Sequence, residues 1–305
     1  MRYFISNVIK IIPVLFLISL IVFILVRVTG DPVALMLPET ATDQEREELR
    51  EALGLNDPLY IQYFNYMKDV LRGDFGDSLR YNQPALGIVL ERLPASFTLA
   101  LSSMAVAVLL SVPAGIYSAI KRNTFSDLII TGASVLGKAM PNFWVGIMLI
   151  LLFSVNLGIF PVSGSGTLAH LVLPSITLGT GIAAEMTRLI RSSMLEVLNS
   201  EYIRTARSKG LHEAFVINKH ALRNALIPVV TIMALQTSTL IGGTLITETV
   251  FSWPGMGQLL VQAVNLRDMA VVQAATFIIA ILVILSNLTA DLVYRYLDPR
   301  IKYED

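Results

Sequence analysis

The stretch from Gly132 to Lys138 comes within one residue of a phosphate-binding motif. It reads Gly-Ala-Ser-Val-Leu-Gly-Lys, but Ala139 stands where the P-loop pattern G-x-x-x-x-G-K-[ST] requires a magnesium-binding hydroxyl. The stretch also lies within an apolar segment and not between a strand and a helix in water. Small residues in such a segment are typical of close packing between membrane helices. We therefore predict that this chain binds no nucleotide.

Other residue types that commonly do chemistry are sparse. The three histidines, His170, His212 and His220, form no H-E-x-x-H pattern and have no carboxylate cluster at metal-ligand spacing. The chain contains no cysteine and no G-x-S-x-G nucleophile elbow. The sequence therefore predicts no catalytic residue, no metal site and no enzyme activity.

Polar side chains inside apolar segments are the remaining candidates. Lys138 lies about ten residues, or about 15 Å of helical rise, into one such segment, and Glu185 lies in the inner half of the next. An unpaired charge at this depth costs at least about 3 kcal/mol, so it should face protein or water. Lys138 can form a structural salt bridge with Glu185, for which Arg188 competes, or line a pathway. Together with Asn142 and Gln236, these two residues are predicted pathway candidates.

The composition indicates which elements must position these side chains. The chain is 54% hydrophobic and only 15% charged, with zero net charge, which favours a membrane protein and argues against a nucleic-acid partner. Six segments are long and apolar enough to span a bilayer: 11–28, 98–120, 128–154, 171–188, 226–247 and 270–294. The first also resembles a signal peptide, but its length and the lack of a small-x-small site favour an uncleaved helix.

The basic residues predict the orientation. With both termini in the cytosol, the inner segments hold fourteen Lys and Arg residues and the outer segments hold seven. The outer segment 29–97 has 12 acidic and 6 basic residues. It predicts a small helical insertion, with one helix whose N-cap is Thr42 or Asp43, a second helix over 59–71, and Pro94 in the first turn of the next span.

The predicted fold is therefore an all-α polytopic membrane protein with six transmembrane helices and this insertion between the first two. The expected domains are 1–28, the insertion 29–97, a core 98–296 and a tail 297–305. The core contains a cytosolic segment, 189–225, whose stretches 194–209 and 213–222 are amphipathic and flank Gly210. Helices of this kind lie on a membrane or dock on a partner, and both remain open.

The segment that begins at Glu201, Glu-Tyr-Ile-Arg-Thr-Ala-Arg-Ser-Lys-Gly, resembles the EAA signature of permease subunits of ABC importers. It is followed by His-Ala-Leu-Arg-Asn-Ala-Leu-Ile-Pro, and it is similar to the branch that imports dipeptides, oligopeptides or nickel. Further stretches that agree, in order along the chain, are Thr-Gly-Asp-Pro from Thr29, Leu-Gly-Leu-Asn-Asp-Pro-Leu from Leu53, Gly-Asp-Phe-Gly-Asp-Ser from Gly73 and Phe-Ser-Trp-Pro-Gly-Met-Gly from Phe251.

The resemblance implies a type I ABC importer permease in a bacterial plasma (inner) membrane. Its partners would be a homologous second permease in a heterodimer, two cytosolic ATPases that bind ATP and Mg, and an extracytoplasmic solute-binding protein. This chain would hold no cofactor. The residues that would couple to an ATPase are Glu201, Tyr202, Arg204, Thr205, Ala206, Arg207, Lys209 and Gly210. The residues that would form an outer gate or contact the binding protein, unless they form a simple turn, are Phe251, Trp253, Pro254 and Gly255.

The mechanism that the resemblance implies is alternating access driven by the partner ATPases. A dipeptide or oligopeptide is the first expected substrate, and nickel or metal chelates and glutathione remain alternatives. A secondary transporter coupled to ions through Lys138, Glu185 and Asp291 is a rival class, although the sequence shows no convincing inverted repeat. An intramembrane enzyme and a purely structural subunit are further rivals.

Overall fold

The computed structural model describes residues 2–29, 33, 37, 40–78 and 80–297. Across these residues the regular elements are helices, and an isolated antiparallel bridge joins Asp77 to Pro84. The predicted tail, apart from Leu297, and residues 30–32 of the Thr-Gly-Asp-Pro stretch lie outside the described residues. In chain order the helices are α1 (Arg2–Thr29), α2 (Asp43–Ala52), α3 (Leu59–Val70), α4 (Ala85–Ile120), α5 (Phe125–Ala139), α6 (Asn142–Asn156), α7 (Leu168–Leu198), α8 (Glu201–Ser208), α9 (Glu213–Ala225), α10 (Ile227–Gly243), α11 (Leu245–Val250), α12 (Met256–Asn265) and α13 (Met269–Leu297).

The apolar helices correspond to the six predicted spans. Helices α4, α7 and α13 are each long and apolar enough to cross a membrane alone. Two bent pairs, α5 with α6 and α9 with α10, satisfy the same criteria together, and α1 has a shorter apolar stretch, Ile11–Arg27. The prediction of an all-α polytopic membrane protein is confirmed.

The third predicted span, 128–154, is not one continuous helix. Helix α5 ends at Ala139, α6 begins at Asn142, and the two are bent by 105°. Pro141 causes the break, because it has no amide proton and its ring forces Met140 into an extended conformation, with φ −78° and ψ 131°. Lys138 therefore lies in the last turn of a helix that ends inside the span.

Two other predicted boundaries are also wrong. Helix α4 begins at Ala85 and not at residue 98, so Pro94 lies inside the helix and not in its first turn. The residues that precede Pro94 are helical because Ala85, Ile88 and Val89 are buried, and this packing is not visible in the sequence pattern. The predicted stretch 194–209 is two helices, because Ser200 adopts an extended conformation between α7 and α8.

Contacts divide the chain into two compact units. The first contains Met1–Pro94 and Gln258–Ile284, and the second contains Ala95–Gly257 and Leu285–Asp305. In the first unit, Thr42 is the N-cap of α2. Its hydroxyl accepts a hydrogen bond from the Glu45 amide at 3.3 Å, and the Glu45 carboxylate accepts one from the Thr42 amide at 2.8 Å. Thr42, one of the two predicted N-caps, is thereby confirmed as the N-cap of this helix.

In the second unit, α7 packs closely against α4. A Cβ atom at Gly179 would lie 2.8 Å from the carbonyl oxygen of Ser103, and one at Gly115 would lie 2.7 Å from the side chain of Ile190. Both glycines therefore allow the two backbones to approach, as small residues do in membrane helix pairs. The same helix buries Met186, Ile190 and Met194, and this packing holds Glu185 in place.

A buried ion pair joins α5 to α7. Arg191 donates two hydrogen bonds to the carboxylate of Asp127, at 2.7 and 2.8 Å. The hydroxyl of Ser118 on α4 and the backbone amide of Asn123 also donate to this carboxylate. This pair was not predicted from the sequence, because its formation depends on how α5 meets α7.

Candidate translocation site and coupling helix

Three helices bring together the charged and amide side chains that were predicted as pathway candidates. The ammonium group of Lys138 on α5 donates to Oε2 of Glu185 on α7 at 2.6 Å. The side-chain amide of Gln236 on α10 donates to the same oxygen at 3.2 Å. Among the described residues, Arg188 forms no ion pair with Glu185, so the competing pairing is not the one observed.

The cluster lies at a cavity of about 340 Å³. Its polar lining consists of Lys138, Asn142, Gln236, Thr239 and Thr244. Its apolar lining includes Met140, Leu178, Ile182 and Leu240. The structure thus places three of the four pathway candidates on one cavity, while the fourth, Glu185, binds two of them.

The break in the third span produces this arrangement. Because the chain turns at Pro141, the end of α5 and the start of α6 both face the cavity. Asn142, at the start of α6, lies so close to α7 that a Cβ atom at Gly181 would be 3.2 Å from its Oδ1 atom. The Lys138 side chain is 51% exposed and that of Glu185 is 31% exposed. Lys138 is therefore the member of the ion pair that lines the cavity, and the role of the pair in transport remains a prediction.

A second polar cluster surrounds Glu248, which the sequence analysis did not single out. This fully buried carboxylate accepts hydrogen bonds from the hydroxyls of Ser96 and Thr244, both at 2.9 Å. It packs against Gly255, where any Cβ atom would collide with it. In the sequence, Glu248 could have been recognised as the single acidic residue at the end of an apolar segment. It lies seven residues before Gly255, which follows Pro254.

The turn formed by residues 251–257 encloses this carboxylate. Phe251 and Trp253 are buried, and so is Gly255, while Pro254 is partly buried. The indole of Trp253 donates to the carbonyl of Ala95 at 2.9 Å, and the carbonyl of Phe251 accepts from the amide of Gly164 at 2.9 Å. In this structure the two aromatic side chains face the protein interior, so neither presents a free surface to a docked protein.

Helix α8 contains most of the residues that were predicted to couple to an ATPase. One side of it packs inward through Ile203 and Ala206, both of which are buried. Ala206 therefore positions the helix and is not part of its free surface. The other seven predicted coupling residues are exposed: Glu201, Tyr202, Arg204, Thr205, Arg207, Lys209 and Gly210.

Polar contacts hold α8 against α9. Arg207 donates to both carboxylate oxygens of Glu213, at 3.1 and 2.6 Å, and this hydrogen bonding raises the pKa of the Arg207 guanidinium above its usual value. Asn224 donates to the hydroxyl of Tyr202 at 2.8 Å. Gly210 follows α8 with φ +75°, a left-handed conformation that favours glycine. The result is a short, separately anchored helix with an exposed charged face.

Apolar helices around a polar cavity, together with this exposed helix, define a membrane transport subunit of the permease class. Two family profiles match the chain. The profile described as the binding-protein-dependent transport system inner membrane component matches residues 111–303, and its N-terminal companion matches residues 1–102. The chain belongs to this family of ABC importer permeases, as the EAA-like resemblance predicts.

Curated relatives match over their full length. The oligopeptide transport system permease protein AppB of Bacillus subtilis is 42% identical over 313 residues, covering 99% of each chain. The glutathione transport system permease protein GsiC of Escherichia coli K12 is 41% identical over all of both chains. The dipeptide transport system permease protein DppB of Alkalihalophilus pseudofirmus is 40% identical, over 99% of this chain and all of that one.

A solved structure has the same fold at low sequence identity. An inward-facing structure of the MetNI methionine ABC transporter superposes with a TM-score of 0.58 at 18% identity. The match covers 69% of this chain and 96% of that one. The predicted type I ABC importer permease fold is thereby confirmed.

Proposed function

We propose that this chain is one of two permease subunits of an ATP-driven importer of peptides. The observation that supports this proposal is its full-length similarity, at 40–42% identity, to proteins named as oligopeptide, dipeptide and glutathione permeases. Glutathione is itself a tripeptide, so these names share one substrate class. The substrate would pass the cavity of Lys138 and Gln236 while the permease alternates between outward and inward access.

Helix α8 is the proposed contact with a cytosolic ATPase, which holds ATP and Mg. Its exposed face carries charges of both signs, which suits a protein surface better than a lipid surface. Its other face is buried through Ile203, and Arg207 links it to Glu213. Because both the buried face and this ion pair anchor the helix, movement of a docked ATPase would be transmitted to the spans as a rigid-body displacement.

The remaining partners follow from the orientation that we propose. Both termini lie in the cytosol of a bacterial cell, because the inner segments then contain fourteen of the Lys and Arg residues. A second, homologous permease completes the pathway, and a solute-binding protein docks on the opposite side. The family description itself includes dependence on a binding protein.

The turn at 251–257 is the proposed outer gate. Its hydrogen bonds join it to Ala95 in α4 and to Gly164 between α6 and α7, and Gly255 of the turn packs against the buried Glu248. Opening the gate would require the Trp253 and Phe251 contacts to separate. The buried position of the aromatic side chains supports a gate over a direct docking contact.

A charge reversal at Lys209, the C-cap of α8, tests the coupling proposal. Lys209→Glu changes the exposed face without touching the buried one, and Lys121→Glu makes the same change at an exposed lysine between α4 and α5. We expect Lys209→Glu to weaken retention of the ATPases on the purified permease by about tenfold, and to lower uptake, because it reverses a charge within the proposed contact surface. If both variants retain ATPases and uptake equally, α8 is not the coupling helix.

A further inference from the structure

We propose that the Lys138–Glu185 ion pair is a docking site within the membrane for a zwitterionic ligand, a short peptide with free termini. Lys138 would take the ligand's carboxylate, and Glu185 would take its ammonium group. This inference rests on the peptide-import proposal and deepens it by assigning a role to two named side chains. It concerns recognition by the permease itself, in addition to the selection made by a binding protein.

The hydrogen bonds of the pair leave capacity for a ligand. Lys138 and Gln236 both donate to Oε2 of Glu185. Among the described residues, Oε1 of Glu185 and two of the three ammonium protons of Lys138 have no partner. The Lys138 side chain lines the cavity, and that of Glu185, which binds both Lys138 and Gln236 of the lining, is 31% exposed. A pair with only a structural role has no need of this access, as the enclosed carboxylate of Asp127 in the same unit shows.

The charge balance of the cavity selects the class of ligand. The observed pair is neutral as a whole, so a ligand with a net charge would leave one charge uncompensated inside the membrane, at a cost of at least about 3 kcal/mol. A zwitterion exchanges partners with the pair and leaves no net charge. A peptide with free termini and uncharged side chains meets this condition.

The rest of the lining matches a peptide backbone. The side-chain amides of Asn142 and Gln236 each offer a donor and an acceptor, as a peptide bond does, and Thr239 contributes a hydroxyl. Leu178 and Leu240 supply apolar surface that can contact the side chains of the ligand. The volume of about 340 Å³ lies within the range of about 300–1,000 Å³ typical of small-molecule sites.

Equilibrium binding of dialanine to the purified importer complex, without binding protein, tests the site. The comparison ligands are N-acetyl-dialanine and dialanine amide, each of which lacks one charge. We expect both to bind wild type at least tenfold more weakly than dialanine does. In the double variant Lys138→Met/Glu185→Met, which leaves no unpaired charge, all three should bind alike. The control Lys121→Met, at an exposed lysine outside the cavity, should behave as wild type.

Three results would overturn the docking site: no dialanine binding to wild type, equal binding of the three ligands to wild type, or preserved discrimination in the double variant. Uptake of dialanine into proteoliposomes, with ATP and binding protein, tests the peptide-import proposal separately from the docking site. If uptake occurs without discrimination in the binding experiment, only the docking site is wrong. If ATP and binding protein support no peptide uptake, peptide import is wrong as well.

Discussion

Removing either member of the Asp127–Arg191 pair should destabilise the second unit strongly. Asp127 is almost fully buried, and Arg191 binds it through two charge-assisted hydrogen bonds at 2.7 and 2.8 Å. The informative changes are Asp127→Asn, Arg191→Met and the two together. Asp127→Asn keeps the size of the side chain but has one oxygen, which can replace either Oδ1, the acceptor for Ser118, or Oδ2, the acceptor for the Asn123 amide. The loss therefore reports on the charge pair together with one of these two hydrogen bonds.

The magnitude follows from these contacts. Hydrogen bonds to charged groups contribute about 1.5–3 kcal/mol each, and breaking a fully buried pair costs about 3–5 kcal/mol. Water partly compensates here, because the Arg191 side chain is 27% exposed. We therefore expect each single change to lower the free energy of unfolding by about 2–4 kcal/mol, a change in the unfolding equilibrium of roughly 30-fold to 900-fold.

A double-mutant cycle, read from equilibrium unfolding in mixed detergent micelles, measures the coupling between the two residues. The chain provides a matched control, Arg204–Glu201, which has a similar distance of 2.9 Å but side chains that are 68% and 84% exposed. We expect a coupling energy of about 2 kcal/mol for the buried pair and at most about 0.5 kcal/mol for the exposed one. Equal coupling energies for the two pairs would refute the reasoning that burial makes Asp127–Arg191 strong.

Two further predictions concern local geometry. Gly255→Ala should destabilise the turn at 251–257 by about 1–3 kcal/mol and impair uptake, because the new Cβ atom collides with Glu248. Gly132→Ala, whose Cβ atom would meet nothing within 4 Å, is the control, and equal stability of the two variants in thermal unfolding would contradict the prediction. In α2, the backbone hydrogen bond from Thr42 lowers the pKa of Glu45. The capping box should therefore stabilise α2 fully above the ordinary carboxyl pKa, and this stabilisation should be lost as the pH falls through the lowered pKa of Glu45. If the amides of α2 are equally protected from hydrogen exchange at both ends of this pH range, the prediction is wrong.

Local rules were sufficient for several elements. Thr42, one of the two predicted N-caps, caps the first helix of the insertion, and the second helix, Leu59–Val70, has nearly the predicted bounds. The pairing of Lys138 with Glu185 was one of two predicted possibilities. It could be reached from sequence because two opposite charges in neighbouring apolar segments have few other partners.

The features that could not be predicted depend on contacts between distant residues. The early start of α4 at Ala85 depends on burial in the first unit, and the Asp127–Arg191 pair depends on how α5 meets α7. The break at Pro141 had a local signal, but helix-breaking residues are tolerated in some membrane helices, as Pro174 inside α7 shows. The packing around each proline decides whether the helix breaks, as at Pro141, or continues, as at Pro174.

The most direct test of the central claim is peptide uptake into proteoliposomes that contain this chain, its partner permease and the ATPases. ATP is supplied on the side of α8, and binding protein loaded with peptide on the other side. We predict that peptide uptake requires both ATP and binding protein, and that it stops when either of them is omitted. Uptake that continues without ATP and without binding protein, or that follows an imposed ion gradient, would contradict the account and favour a secondary transporter.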